Sequence, residues 1–197
     1  MAITVQNNHP HWNFLLALDA DLGELSRHIE FDQRNFECFS LELARLLFAA
    51  ASEVDVVAKQ LCRVLAANSK AKNINAYRDA ICKAYPKIPD FRVISPRFGL
   101  TLQPWDEWRK KGGVPFWWTG YNKVKHERHE HYNRANLKNT LNAVAGLLVI
   151  VLFLYRQEAI DGLLVSSPQI LRVHDDHLKG ITVGEYYTEI WYKLDDL

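Results

Sequence analysis

Residues 134–157, RANLKNTLNAVAGLLVIVLFLYRQ, decide what kind of molecule this chain builds. Ala143 to Tyr155 is the most apolar stretch of the sequence and its one candidate for crossing a membrane. A spanning helix needs about 20 predominantly apolar residues, and this run falls short. Leu137, Leu141, Val144, Leu148, Val151 and Tyr155 instead recur at the three- and four-residue steps of a helix packed inside a protein. Gly162 and Pro168 then close the segment. It reads as a core helix, and no membrane partner is expected.

Further helical patterns lie upstream. Phe14, Leu15, Leu18, Leu22, Leu25 and Ile29 make Trp12 to Ile29 an amphipathic helix. Ala44, Leu47, Ala51, Val54, Ala58, Leu61 and Leu65 keep one stripe apolar, and Leu43, Ala50, Val57 and Val64 widen it. A helix with so broad a stripe packs on more than one neighbour. Glu53 and Asp55 flank Val54 on it, placed to reach a basic partner such as Lys125 or Arg128. A shorter helix over Ile74 to Tyr85, with Tyr77, Ile81 and Tyr85 on one face, ends at Pro86 and Pro89.

Residues 86–115 hold five of the seven prolines and three of the nine glycines. They form a long connection with a short strand around Phe91 to Ile94, and connections of this length are often functional. Helix resumes at Phe116, behind Pro115, and pauses near Tyr132 and Asn133, where Asn133 is the expected cap of the core helix. The tail carries two strand-like pieces, ILRVH and ITVGEYYTEIWYKL. The fold class is therefore all-α, with a helical domain over residues 1–160 and a small appendage over 161–197 that includes short strands.

The 197 residues are 48% hydrophobic and 12% aromatic, enough for one good core. With 24 basic and 23 acidic residues the net charge is +1, so nucleic acid cannot be captured by bulk charge and any such contact needs a local patch. Cys38, Cys62 and Cys82 are far apart and contain no C-x-x-C pair. Apolar neighbours suggest that each is a small buried hydrophobe. The start, MAITVQNNHPHW, lacks the features of a secretion signal, and a cytoplasmic location is expected.

A local patch does exist. Residues 117–131, WWTGYNKVKHERHEH, set Lys123, Lys125, His126, Arg128, His129 and His131 behind two tryptophans and ahead of the core helix. On a helix, Asn122, Lys123, His126 and His129 share a face. A neutral imidazole can take a proton from a ribose 2′-hydroxyl while a neighbouring cation opposes the charge that grows on phosphate. Asn122 is placed to orient that imidazole. Such a set needs no metal and no cofactor.

The string Tyr121-Asn122-Lys123-Val124-Lys125-His126 resembles the motif of the HEPN superfamily, in one frequent form R-N-x-x-x-H at the start of a bundle helix. Asn122 and His126 match, and Tyr121 stands where the family has arginine. The helical pattern over roughly residues 12–160 fits the same family. The resemblance implies an up-and-down helical bundle, a homodimer that brings two motifs together across a two-fold axis, and a metal-independent ribonuclease or RNA-binding protein of a toxin–antitoxin or phage-defence type. It also implies RNA and an antitoxin or other protein as partners.

On that resemblance the catalytic candidates are His126, Asn122, Lys125 and Arg128, and the substrate-binding candidates are Lys123, Tyr121, Trp118 and His129. Arg128 lies two residues past His126, which in a regular helix turns it about 200° away. The alternative function is an inactive binding or regulatory module that works through dimerisation and protein or nucleotide binding. Metal binding is a rival for the same residues, since H-E-x-H-x-H is rich in ligands, with His9 and His11 or the His174–His177 group as further donors. The i, i+4 histidine pair of H-E-x-x-H is missing, however. Trp105, Trp108, Trp117 and Trp118 are expected mainly in the core or an interface.

Overall fold

The computed structural model describes residues 8–183 and 188–194 and is mostly helical, with a few short antiparallel strands. Helix α1 spans Pro10–Leu25, with Pro10 in the first turn, where its missing N–H costs nothing. Helix α2, Leu41–Leu65, starts where Ser40 Oγ accepts from Leu43 N at 3.1 Å. Helix α3, Ile74–Ala84, is capped in the same way by Asn73. Helix α4 covers Phe116–His131, α5 Leu137–Leu154 and α6 Arg156–Ile160. Asn136, rather than the expected Asn133, caps α5, its Oδ1 accepting from Asn139 N at 3.0 Å. The chain from Tyr132 to Arg134 is a tight 3₁₀ turn, so extended backbone suited to a cap comes only at Asn136.

Helix α5 packs most extensively on α2 and also contacts α4 and α1. It has the length and composition of a membrane span, yet nearly all of it is buried inside the protein. Its polar side chains have local partners. Thr140 Oγ1 lies 3.1 Å from Leu43 O and 2.9 Å from Asn136 O, and Asn142 Nδ2 donates to Lys138 O at 2.9 Å. Being covered on all sides explains why this segment is apolar throughout rather than striped.

The proline-rich connection supplies strands β1, Val93–Ser95, and β2, Leu100–Leu102, joined through Gly99 at φ +62°. The C-terminal segment returns to pair β3, Arg172–Val173, against β1, giving the order β2-β1-β3, all antiparallel. Strands β4, Leu178–Val183, and β5, Thr188–Tyr192, form a separate antiparallel pair. Leu164, Ile170, Leu171, Val173, Ile190, Tyr192 and Leu194 belong to the same buried cluster as the helices. Cys62 is buried and Cys82 half-buried as free thiols. Cys38 is exposed, contrary to expectation, because it lies in the irregular segment before α2.

Candidate functional site

The first half of α4 is locked into the core by aromatic side chains. The Trp117 indole donates to Pro104 O at 2.8 Å and the Trp105 indole to Gly146 O at 3.2 Å, with ring centroids 5.3 Å apart. Trp105, Trp108, Trp117 and Trp118 are all buried. Trp118 and Tyr121, expected to offer ring faces to substrate, are only 8% and 6% exposed. They lie one helical turn apart with centroids 5.5 Å apart, and Tyr121 meets Phe48 of α2 edge-on at 5.6 Å. The Tyr121 hydroxyl lies 3.5 Å from Ser52 Oγ. The position corresponding to the motif arginine therefore points at α2, because an aromatic ring here buries more apolar area by packing than by facing water.

Two glycines let α4 approach α5. A Cβ on Gly120 would sit 2.5 Å from Asn139 Nδ2, and one on Gly146 would sit 3.0 Å from the Trp117 ring.

The second half of α4 is solvent-facing. Lys123, Lys125, His126, Arg128 and His129 are exposed and Asn122 is half-buried. Among the described residues no side-chain hydrogen bond joins Asn122 to His126, so the expected orienting contact is not made. Nor, among the described residues, does any carboxylate lie within ion-pair distance of Lys123, Lys125 or Arg128. Lys125 Nζ instead sits over the Tyr121 ring, 5.5 Å from its centroid.

Glu127 breaks the helix with φ −140° and ψ 49°. The break overturns the regular-helix geometry past His126. Arg128, which an unbroken helix would turn away, lines the same open concavity of about 430 Å³ as Lys125, His126, His129 and Phe48. Two cations and a second imidazole thus line one open concavity with His126.

A second cleft, about 370 Å³, lies beside Lys123, where Gly120 and Thr119 of α4 face Arg134, Lys138 and Asn139, with Glu37 at its edge. Glu37 accepts from Asn136 Nδ2 at 3.1 Å, and Asn139 Nδ2 donates to Arg134 O at 2.7 Å. Arg134 and Lys138 went unnoticed in the sequence because they belong to the turn and first helical turn beyond the histidine-rich string, and only the α4–α5 corner brings them to Lys123.

The α2 carboxylates do not reach α4. Glu53 Oε1 lies 2.5 Å from His11 Nδ1, and Asp55 pairs with Lys59 while accepting from the Tyr77 hydroxyl at 2.8 Å. They face α1 and α3 rather than the basic patch. His11 also meets Gln60 at 2.8 Å, and His9 packs edge-on against Tyr155 at 4.9 Å.

Glu127, Glu130 and His131 are the one group among the described residues whose donor atoms come within 4.8 Å of each other. His126, His9, His11 and the His174–His177 turn do not join it. His131 already pairs with Glu127 at 3.4 Å, and the two glutamates are exposed.

Comparison of the chain with family models, with curated proteins and with solved structures found no match.

Proposed function

We propose that this chain is a HEPN-like helical bundle that binds RNA and cleaves it without a metal, acting as a homodimer in a toxin–antitoxin or phage-defence type system. The observation that carries the reading is the break at Glu127, which gathers Lys125, His126, Arg128 and His129 around one concavity. In a basic concavity of this kind a single strand lays its phosphates on Lys125 and Arg128. The neutral His126 imidazole takes the 2′-hydroxyl proton, and the two cations oppose the charge that develops on the attacked phosphate. Lys125 and Arg128 take the place of the arginine that Tyr121 does not supply. Two concavities related by a two-fold axis would form one cleft, and a protein antitoxin would act by covering it.

A second reading, binding without turnover, is favoured by a specific observation. Tyr121 is packed in the core and the Asn122 side chain makes no hydrogen bond to the His126 imidazole.

Labelled single-stranded RNA, followed by fluorescence anisotropy and by gel in the presence of EDTA, separates the readings. Cleavage that is lost in His126→Ala while binding persists supports the enzyme. Binding with no cleavage in the wild type supports the module. Each phosphate contact on a single strand contributes about 0.7 to the slope of log K against log salt, so Lys125→Ala/Arg128→Ala should reduce that slope by about 1.4. An unchanged slope would place RNA elsewhere, and a monomer by light scattering at micromolar concentration would remove the shared cleft.

A further inference from the structure

A cavity of about 330 Å³, with no α4 residue in its lining, lies between the three-stranded sheet and the β4–β5 pair. Leu148 of α5, Leu171, Val173 and Ile190 give it an apolar wall. Two polar side chains stand out against that wall. Tyr192 lines the cavity and is 3% exposed, yet its hydroxyl has no hydrogen-bond partner among the described residues. Arg172, an exposed residue, lines its rim, and no carboxylate among the described residues pairs with its guanidinium.

A tyrosine hydroxyl that opens onto a cavity wall with no partner among the described residues offers a donor to a ligand's polar atom. We propose that this cavity is a binding site for a small carboxylic acid with an apolar body. The carboxylate accepts from the Tyr192 hydroxyl and pairs with Arg172, while the hydrocarbon lies against the leucine, valine and isoleucine wall. Burial raises the Tyr192 pKa, which keeps the phenol protonated and able to donate near neutral pH. Asp175, the one carboxylate lining the cavity among the described residues, is exposed and forms no ion pair with Arg172. Asp19, a carboxylate that Arg172 does influence, is already occupied by the amides of Gln169, Ile170 and Leu171.

The volume sets the ligand's size. A space of about 330 Å³ limits the ligand to a small molecule, and octanoate, a short hydrocarbon ending in a carboxylate, is a suitable probe. A pocket at the small end of the usual range, mostly apolar with one or two placed polar groups, is the ordinary form of a small-molecule site.

Calorimetric titration of the full chain with sodium octanoate and with 1-octanol at pH 7.5 tests the assignment. Octanoate should bind at one site per chain and more tightly than octanol. Charge-assisted hydrogen bonds are the stronger kind, so Arg172→Gln should weaken octanoate by about tenfold and leave octanol unchanged. Tyr192→Phe, which keeps the ring and removes only the hydroxyl, should weaken octanoate by a smaller factor. Equal affinity for the two probes overturns the assignment of an acid. No binding, or octanoate binding that both variants leave intact, overturns the site. Melting temperatures of the two variants, read alongside, exclude loss of fold as the cause of a lost signal.

Discussion

His177 shows how one side chain ties titration to stability. It is 8% exposed, stacks on Phe91 with centroids 3.9 Å apart, and accepts from the amide of Arg92 at 3.3 Å. Accepting through Nε2 requires a neutral ring, and burial holds its pKa down at about 4, with Arg92, His174 and Lys193 pushing the same way and Asp176 opposing them. The folded form therefore binds fewer protons than the unfolded chain between the ordinary histidine value near 6.5 and about 4. The stabilisation is complete above that window and is lost as pH falls through it. At about 1.4 kcal/mol per tenfold in proton affinity, the loss amounts to about 3 kcal/mol. Denaturant melts at pH 7 and pH 4 should show the wild type losing about that much more stability than His177→Phe, because other titrating groups cancel in the difference. Equal losses would mean that His177 is already protonated in the fold. The sequence showed only an H-D-D-H string that could bind metal. The aromatic partner, Phe91, lies in the proline-rich connection, and no local pattern announces a stack between segments so far apart.

At the scale of elements, the corner between α4 and α5 governs the basic patch, and Gly120 governs the corner. A methyl there would press on Asn139, whose amide also donates to Arg134 O and lines the cleft beside Lys123. Gly120→Ala should lose about 1–3 kcal/mol, the usual cost of overfilling a packed contact. It should appear as a lower denaturant midpoint with unchanged m. Gly180→Ala, with nothing within 4 Å of its Cβ, is the control and should move the midpoint far less. The helices themselves were readable because a 3.6-residue period survives in side-chain type alone, and α2, α3 and α5 lie close to where that period puts them. The break at Glu127 was not readable. Glutamate is a good helix former, so nothing in its type marks a residue that leaves the helix and puts Arg128 on the same concavity as His126. The side on which Tyr121 lies was equally hidden, since a tyrosine in a motif position and a tyrosine in a core look alike until α2 is in place.

At the scale of the whole molecule, the boundary expected near residue 160 separates elements that share one core. The Trp12 indole lies within 3.1 and 3.2 Å of Val165 O and Ser166 O, and Ser95 Oγ donates to Ile170 O at 2.8 Å. Asp19, 2% exposed on α1, accepts the amides of Gln169, Ile170 and Leu171 at 2.5, 3.0 and 2.9 Å. Burial lifts the pKa of that carboxylate against the pull of the three amides. It is held where it is by donors that only the C-terminal segment provides. Removing residues 161–197 would leave Asp19 and the Trp12 indole without these partners and uncover the face of α5 around Leu148. Leaving a buried group unpaired costs about 1–3 kcal/mol, and more when it is charged, against a total stability of about 5–15 kcal/mol for a domain. The fragment 1–160 should therefore show no cooperative thermal transition and should bind a hydrophobic dye, whereas the full chain unfolds in one step seen alike by tryptophan fluorescence and circular dichroism. A fragment that melts cooperatively near the full-length temperature would show instead that the helical bundle is a domain in its own right, with the C-terminal segment resting on it as an appendage.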